Sequence, residues 1–268
     1  MPGEPDGTPA SRGSAGESVR AVDPALESRG HGGDESSSVA FLHRTLDQVI
    51  EQLAGEDHRD DIAAARKVFE DRRGRVFEDE ELWERWTQAF LEWYVLERPA
   101  GESSAAGDGS GVMSVPAAQV LDEAPAESGD SARHRTRMAL RAWLTSHRGV
   151  FVIEAMADGA VELRDMLGGG QFRVAEERAM AGVSVGDIAE LRLVGFEDQV
   201  FFGRTFCFHP AGTGDAIMEH AARIRAEGGS RVDIVDHCAS LRIRWERYRR
   251  LSPARVYQSS PRDLGRNP

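Results

Sequence analysis

The sequence predicts an α+β protein: an N-terminal helical module joined by an acidic linker to a small five-stranded antiparallel barrel with flanking helices. Three observations carry that expectation. Apolar residues recur three and four apart between Ser38 and Pro99, the helical period. Short runs rich in β-branched and aromatic residues, broken by glycine and aspartate, fill Gly149 to Pro210. Between them, Gly101 to Asp130 is rich in Gly, Ala, Ser and acids, the composition of a flexible linker.

Residues 1–37 are rich in Gly, Pro, Ser, Asp and Glu and hold almost no large apolar side chain. Such a segment buries too little surface to offset the entropy of ordering, and a disordered arm is expected. The helical module spans 38–100. Its first helix places Phe41, Leu42, Leu46, Val49, Ile50 and Leu53 on one face until Gly55; its second, Asp60 to Arg72, buries Ile62, Ala65, Val68 and Phe69. The third sets Leu82, Trp86, Ala89, Phe90 and Trp93 at i, i+4, i+7, i+8 and i+11, widened by Trp83 and Tyr94. The acids from Asp79 onward suit its positive N-terminus. Aromatic side chains at helical spacing belong to a core more often than to a ligand platform.

The linker, 101–130, contains one short amphipathic piece, Val115 to Leu121, too short to be stable alone. From 131 to 251 the sequence reads as a helix (Ser131–His147), five strands (Val150–Ala155, Ala160–Leu163, Gln171–Ala175, Ile188–Leu193, Val200–Phe208) and two further helices (Thr213–Glu227, Val232–Arg250). Five short antiparallel strands suggest a barrel, since closure removes exposed edges. Residues 252–268 read as a loose tail.

An aromatic helix ending in W-Y-V-L-E-R-P, followed by V-E-L-R-D-M-L-G-G-G-Q-F-R-V and V-S-V-G-D-I-A-E-L-R-L, resembles a group of poorly characterised bacterial proteins, some of which carry a C-terminal SEC-C zinc motif. The resemblance covers roughly Phe77 to Pro210, and its motifs are structural in character. It implies a small β-barrel for the middle section. This chain has no C-x-C and no cysteine-rich tail, so the zinc role of that motif does not carry over.

Gly168, Gly169 and Gly170 raise the question of a phosphate loop. Such a loop needs a helix opening after it and a lysine or arginine on the anion. Gln171 to Val174 alternate like a strand instead, and Lys67, the only lysine, lies far away in sequence. A hairpin loop using positive backbone angles is expected. The pairs Cys207/His209 and His237/Cys238 form the sharpest metal candidate, yet structural zinc sites space paired ligands two to four apart, and buried cysteines with histidines at element ends account for them without metal. No nucleophile elbow or activated cysteine motif is present, and Asp60-Asp61 and Glu78–Glu81 are more simply helix starts than an acid/base pair. No cofactor or metal is implied.

The stretch RIRWERYRR supplies the candidate partner-binding residues: Arg242, Arg244, Trp245, Arg247, Tyr248, Arg249 and Arg250. A basic helix with interleaved aromatic rings suits single-stranded nucleic acid. A net charge of −12 argues instead that the apolar side chains dock on the protein while the arginines meet its own acids or an acidic partner. Neither a signal peptide nor a run of about 18 apolar residues is present, which points to the cytoplasm and against membrane insertion. The expected function is a non-enzymatic interaction or regulatory protein with a protein partner. The alternatives are a nucleic-acid-binding regulator using the barrel and the arginine helices, and an enzyme whose site is not recognisable.

Overall fold

A computed structural model describes residues 37–53, 55, 58–98, 115–123, 131–157, 159–176 and 180–259. The expected disordered arm, but for Ser37, and the linker on either side of 115–123 lie outside the described residues. The elements in order are α1 (Ser38–Leu53), α2 (Arg59–Arg73), α3 (Trp83–Leu96), α4 (Pro116–Glu123), α5 (Ser131–Leu144), β1 (His147–Ala157), β2 (Ala160–Asp165), β3 (Gln171–Ala175), β4 (Ile188–Phe196), β5 (Gln199–His209), α6 (Gly214–Ala226), α7 (Arg231–Arg247) and α8 (Pro253–Gln258).

All five strands form where the β-rich runs lie, as one antiparallel sheet in the order β3-β2-β1-β4-β5. The expected barrel is corrected. β3 and β5 approach each other but make no ladder, so the sheet is rolled and left open. Two features explain why. β3 has five residues against the eleven of β5, too few to seal that edge. The outer face of β4 and β5 is also claimed by helices: Val194, Phe196, Phe201 and Cys207 join the helical core, while Leu191, Leu193, Phe202 and Phe206 fill the inner one. β4 is therefore buried on both faces, as the nearly unbroken apolar run of IAELRLVGF allows.

The helical core gathers Leu42, Leu46, Phe69, Trp86, Phe90, Trp93, Ala139, Leu140 and Trp143 with those outer strand residues and with Ala239 and Ile243 of α7. The aromatic stripe of α3 is core. Phe69 stands edge-on to Trp86 and Phe90 with ring centroids 5.9 and 5.5 Å apart, and Trp86 Nε1 donates to the Gly74 carbonyl at 3.0 Å. Val68, expected inside, points outward on the opposite side of α2. α4 packs on α3 and α5, so the short amphipathic piece of the linker does fold onto the body.

Local signals set the remaining boundaries. The β4–β5 turn has Glu197 and Asp198 both at positive φ (48° and 61°), the mirror-image two-residue turn that suits the twist of a hairpin. α7 opens with a capping box in which the Ser230 and Asp233 side chains each take the other residue's backbone N–H. The tail expected from Ser252 is also corrected. Ser252 caps α8, Pro253 sits in its first turn, and Val256 and Tyr257 are fully buried against α6 and α7.

Candidate functional site

Arg242, Arg244, Arg247 and Arg249 of RIRWERYRR meet the chain's own acceptors. Arg242 Nε donates to the Phe208 carbonyl at 2.8 Å, its Nη1 binds Glu246, and its guanidinium covers the Trp245 ring. Arg244 donates to the Ser259 carbonyl at 3.0 Å. Arg247 grips Glu80 with Nε at 3.0 Å and Nη2 at 3.1 Å and reaches the Arg75 carbonyl at 2.6 Å. Arg249 binds Glu81 and Glu246. Arg250 and Tyr248 are exposed, and Trp245 is half-buried. The acids read as ornaments of a helix N-terminus thus have a second role: residues 78–81 form an acidic loop before α3, and Glu80 and Glu81 latch it to the end of α7. Arg247 holds the Glu80 carboxyl below its usual range despite partial burial.

The glycine stretch is a hairpin loop without a phosphate cradle. Gly169 takes φ +74°, and Asp165 organises the loop by accepting the Leu167 N–H at 2.8 Å, with His147 and Arg231 on its other oxygen at 3.1 and 2.9 Å. Burial would raise the Asp165 carboxyl, but those two partners hold it well below the usual carboxylate range. Arg231 lies so close that a Cβ on Gly149 would stand 2.1 Å from its Nη2. A guanidinium of the protein fills the place where a bound anion would need one, and it is already used.

Cys207, His209, His237 and Cys238 do not make a metal centre: among the described residues no three His, Cys, Asp or Glu side chains are grouped to hold an ion. His209 shares a hydrogen bond with the Tyr257 hydroxyl at 2.8 Å, and His237 meets His220 at 3.2 Å. Burial holds His209 neutral, its pKa pushed down to about 3 with help from Arg242 and Arg73. Burial likewise raises the Cys207 thiol to about 11 and the Cys238 thiol to about 12, so neither is a nucleophile at neutral pH.

Sequence reasoning missed a buried ionic clamp. Arg73 at the end of α2 is 1 % exposed. It binds both oxygens of Glu190 (2.7 and 2.9 Å, β4) and Asp236 (2.8 Å, α7). Arg148 of β1 reaches Glu190, Glu97 and Asp236 at 3.0, 2.9 and 3.0 Å. Arg192, its cross-strand neighbour, binds Glu97 and approaches Glu92 at 3.4 Å. A bulge sets three residues of β5, Gly203 to Thr205, against Arg192, and the freed N–H of Arg204 donates to Glu92 at 3.2 Å. Burial would raise Glu97, but Arg148 and Arg192 hold it down at about 2. The space among these groups is about 10 Å³, room for no more than one water. It is a structural tie between α2, α3, α7 and the sheet, with no place for a substrate.

A groove of about 720 Å³ lies between α2 and α3, walled by the loop that follows α2. Ile62, Val76, Phe77, Trp83 and Phe90 give it an apolar floor, and Arg59, Arg66, Arg75, Glu70, Glu78 and Asp79 line it too. The Arg66 guanidinium lies over Trp83 and Phe90, 5.1 and 4.8 Å from the ring centroids. Its Nε donates to Glu70 at 3.1 Å, while its Nη2 is buried with no acceptor. Phe77 is 48 % exposed beneath the Arg75 guanidinium. A second groove, of about 550 Å³, separates α5 from the β4–β5 turn, but its Arg135 is engaged with Glu197 at 2.8 Å. No described helix is long and apolar enough to cross a membrane.

Comparison of the chain with protein-family models, with curated proteins and with solved structures gave no significant match. The resemblance over Phe77 to Pro210 rests on its quoted residues alone.

Proposed function

We propose that this chain is a non-enzymatic interaction or regulatory protein of the cytoplasm that presents the α2–α3 groove to a protein partner. The observation that carries the reading is the groove itself: a concave, aromatic-floored surface with a half-exposed Phe77 and stacked arginines, the residue types enriched where protein partners bind. The buried ionisable groups elsewhere support it by their geometry. Those of the clamp are tied to one another around a space of about 10 Å³, and burial holds His209 and Cys207 neutral.

The runner-up, a nucleic-acid-binding regulator, draws on exposed Arg250 and Tyr248 beside Arg247 and Arg249. Against it stand the carboxylates and carbonyls already holding the neighbouring arginines and the net charge of −12.

A photo-crosslinking amino acid placed at Phe77 and, separately, at exposed Met156 tests the reading in the native cell. One defined protein adduct at position 77 and none at 156 is the expected result. Equal labelling at both positions, or none at 77, would remove the groove as the contact surface. Submicromolar binding of single-stranded RNA at about 150 mM salt, lost on replacing Arg247 and Arg249, would promote the runner-up.

A further inference from the structure

We infer that the α2–α3 groove selects an acidic peptide segment: one carboxylate side chain seated against Arg66 beside a bulky apolar residue on the Ile62–Val76–Phe77 floor. This rests on the reading of the groove as a protein-binding surface and adds the chemistry of the partner.

Arg66 is the centre of the argument. Two rings fix its guanidinium plane, Glu70 occupies Nε, and Nη2 lacks an acceptor although it is shielded from water. A buried guanidinium N–H without an acceptor is costly, and a small shift of the side chain toward an arriving carboxylate removes that cost while forming a charge-assisted bond. The groove is lined by charges of both signs. Arg59 precedes Arg66 by seven residues on α2, about 10 Å of helical rise, and on the same face. Glu78 and Asp79 come from the loop beyond the other end of that helix. Glu70 faces both Arg66 and Arg75, at 3.1 and 3.7 Å, and offsets part of their charge. The first turn of α2 carries Asp60 and Asp61 and the loop carries Glu78 and Asp79, so Arg66, between those two acidic ends, is the group to which a carboxylate is assigned.

The floor supplies the remaining selectivity. Phe77 is half-exposed, Arg75 covers it at 4.8 Å and is itself 65 % exposed in its side chain, so the Arg75 side chain can swing aside without breaking a buried contact. A leucine or phenylalanine of the partner placed there exchanges water for apolar contact on both sides.

The test uses the full chain and two fluorescein-labelled synthetic peptides, one with a pair of glutamates preceding leucine and phenylalanine, the other with glutamines in their place. Fluorescence anisotropy is expected to show the acidic peptide binding, with Kd raised about tenfold for the glutamine peptide and about tenfold for Arg66→Gln, the size of one charge-assisted bond. Should Arg66→Gln lose its fold by circular dichroism, Arg75→Gln, whose side chain is mostly exposed, carries the same comparison with a smaller rise. Equal affinity for both peptides would overturn the inference and leave the groove as a protein-binding surface. Failure of the acidic peptide to bind would overturn the inference, and the crosslink at position 77 then decides whether the groove reading falls with it. Self-association of the chain that Arg66→Gln abolishes would identify a second copy as the occupant and overturn the inference as well.

Discussion

Two arginine clusters in this molecule use the same chemistry to different ends. Around Arg73, guanidinium and carboxylate groups from α2, α3, β1, β4 and α7 are sealed from water; at the end of α7, Arg247 and Arg249 meet Glu80 and Glu81 with side chains about two-fifths exposed for the arginines. In the first cluster a lost partner strands a buried charge, a cost of about 3–5 kcal/mol. In the second, water replaces the partner and the cost is about 0–1 kcal/mol. The number of ion pairs says little; their burial says which are structural ties and which are latches. The sealed cluster fixes α2 on the sheet, while the exposed one holds only the loop that walls the groove.

Replacing Arg73 by methionine is expected to cause the largest loss, about 3–5 kcal/mol in denaturant unfolding, because Glu190 and Asp236 keep their burial and each lose a buried guanidinium partner. Trp86→Ala and Trp93→Ala are each expected to cost a similar amount through the cavity left in the core, with no gain or loss of partner specificity. A variant of either tryptophan that unfolds normally would move the α3 stripe from core to interface.

Acidification comes next. His209 and His237 are neutral in the fold, with pKa values lowered to about 3 and about 4 chiefly by burial, so below about pH 6.5 the unfolded chain takes up protons that the folded chain does not. Stability then falls with decreasing pH by about 1.4 kcal/mol per unit for each histidine. Glu97 and Asp236 add to the loss below about pH 4.5, since their folded pKa values lie under the unfolded ones. Urea unfolding at pH 7 and pH 5 should therefore differ, and His209→Gln should reduce the difference. A flat profile between those two pH values would contradict the assigned neutrality.

The smallest effect is expected at the latch: Glu80→Gln with Glu81→Gln should change stability by no more than about 1 kcal/mol and should raise amide exchange in residues 76–82 alone. Protection lost across α2 and α3 together would mean the latch is part of the clamp.

Much of the fold was legible because its signals are local. The helical period of α1 to α3, the alternation of the strands and the turn residues at Gly159 and Glu197-Asp198 each lie within one short window. Barrel closure was not legible, since it depends on whether β3 meets β5 and on helices covering the outer face of β4, which are contacts between distant segments. α8 was missed although Ser252-Pro253 is a helix-start signal, because six residues are too few to show a period. The arginine stretch was read as meeting either the chain's own acids or an acidic partner, and the acids that Arg247 and Arg249 meet, Glu80 and Glu81, had been assigned to the dipole of α3. The clamp left only a faint trace: arginine and glutamate inside the apolar strand IAELRLVGF, polar residues where a buried strand should have none. The groove left no trace, because a concave surface belongs to no single helix.

Two double-mutant cycles, Arg73 with Glu190 and Arg247 with Glu80, measured on the same purified chain at about 0.15 M salt, test the division between tie and latch most directly. Coupling of about 3 kcal/mol or more for the first pair and under about 1 kcal/mol for the second is the expected result. Equal coupling in the two cycles would contradict it, and with it the claim that the clamp, rather than the arginine-rich end of α7, sets the position of the α2–α3 groove.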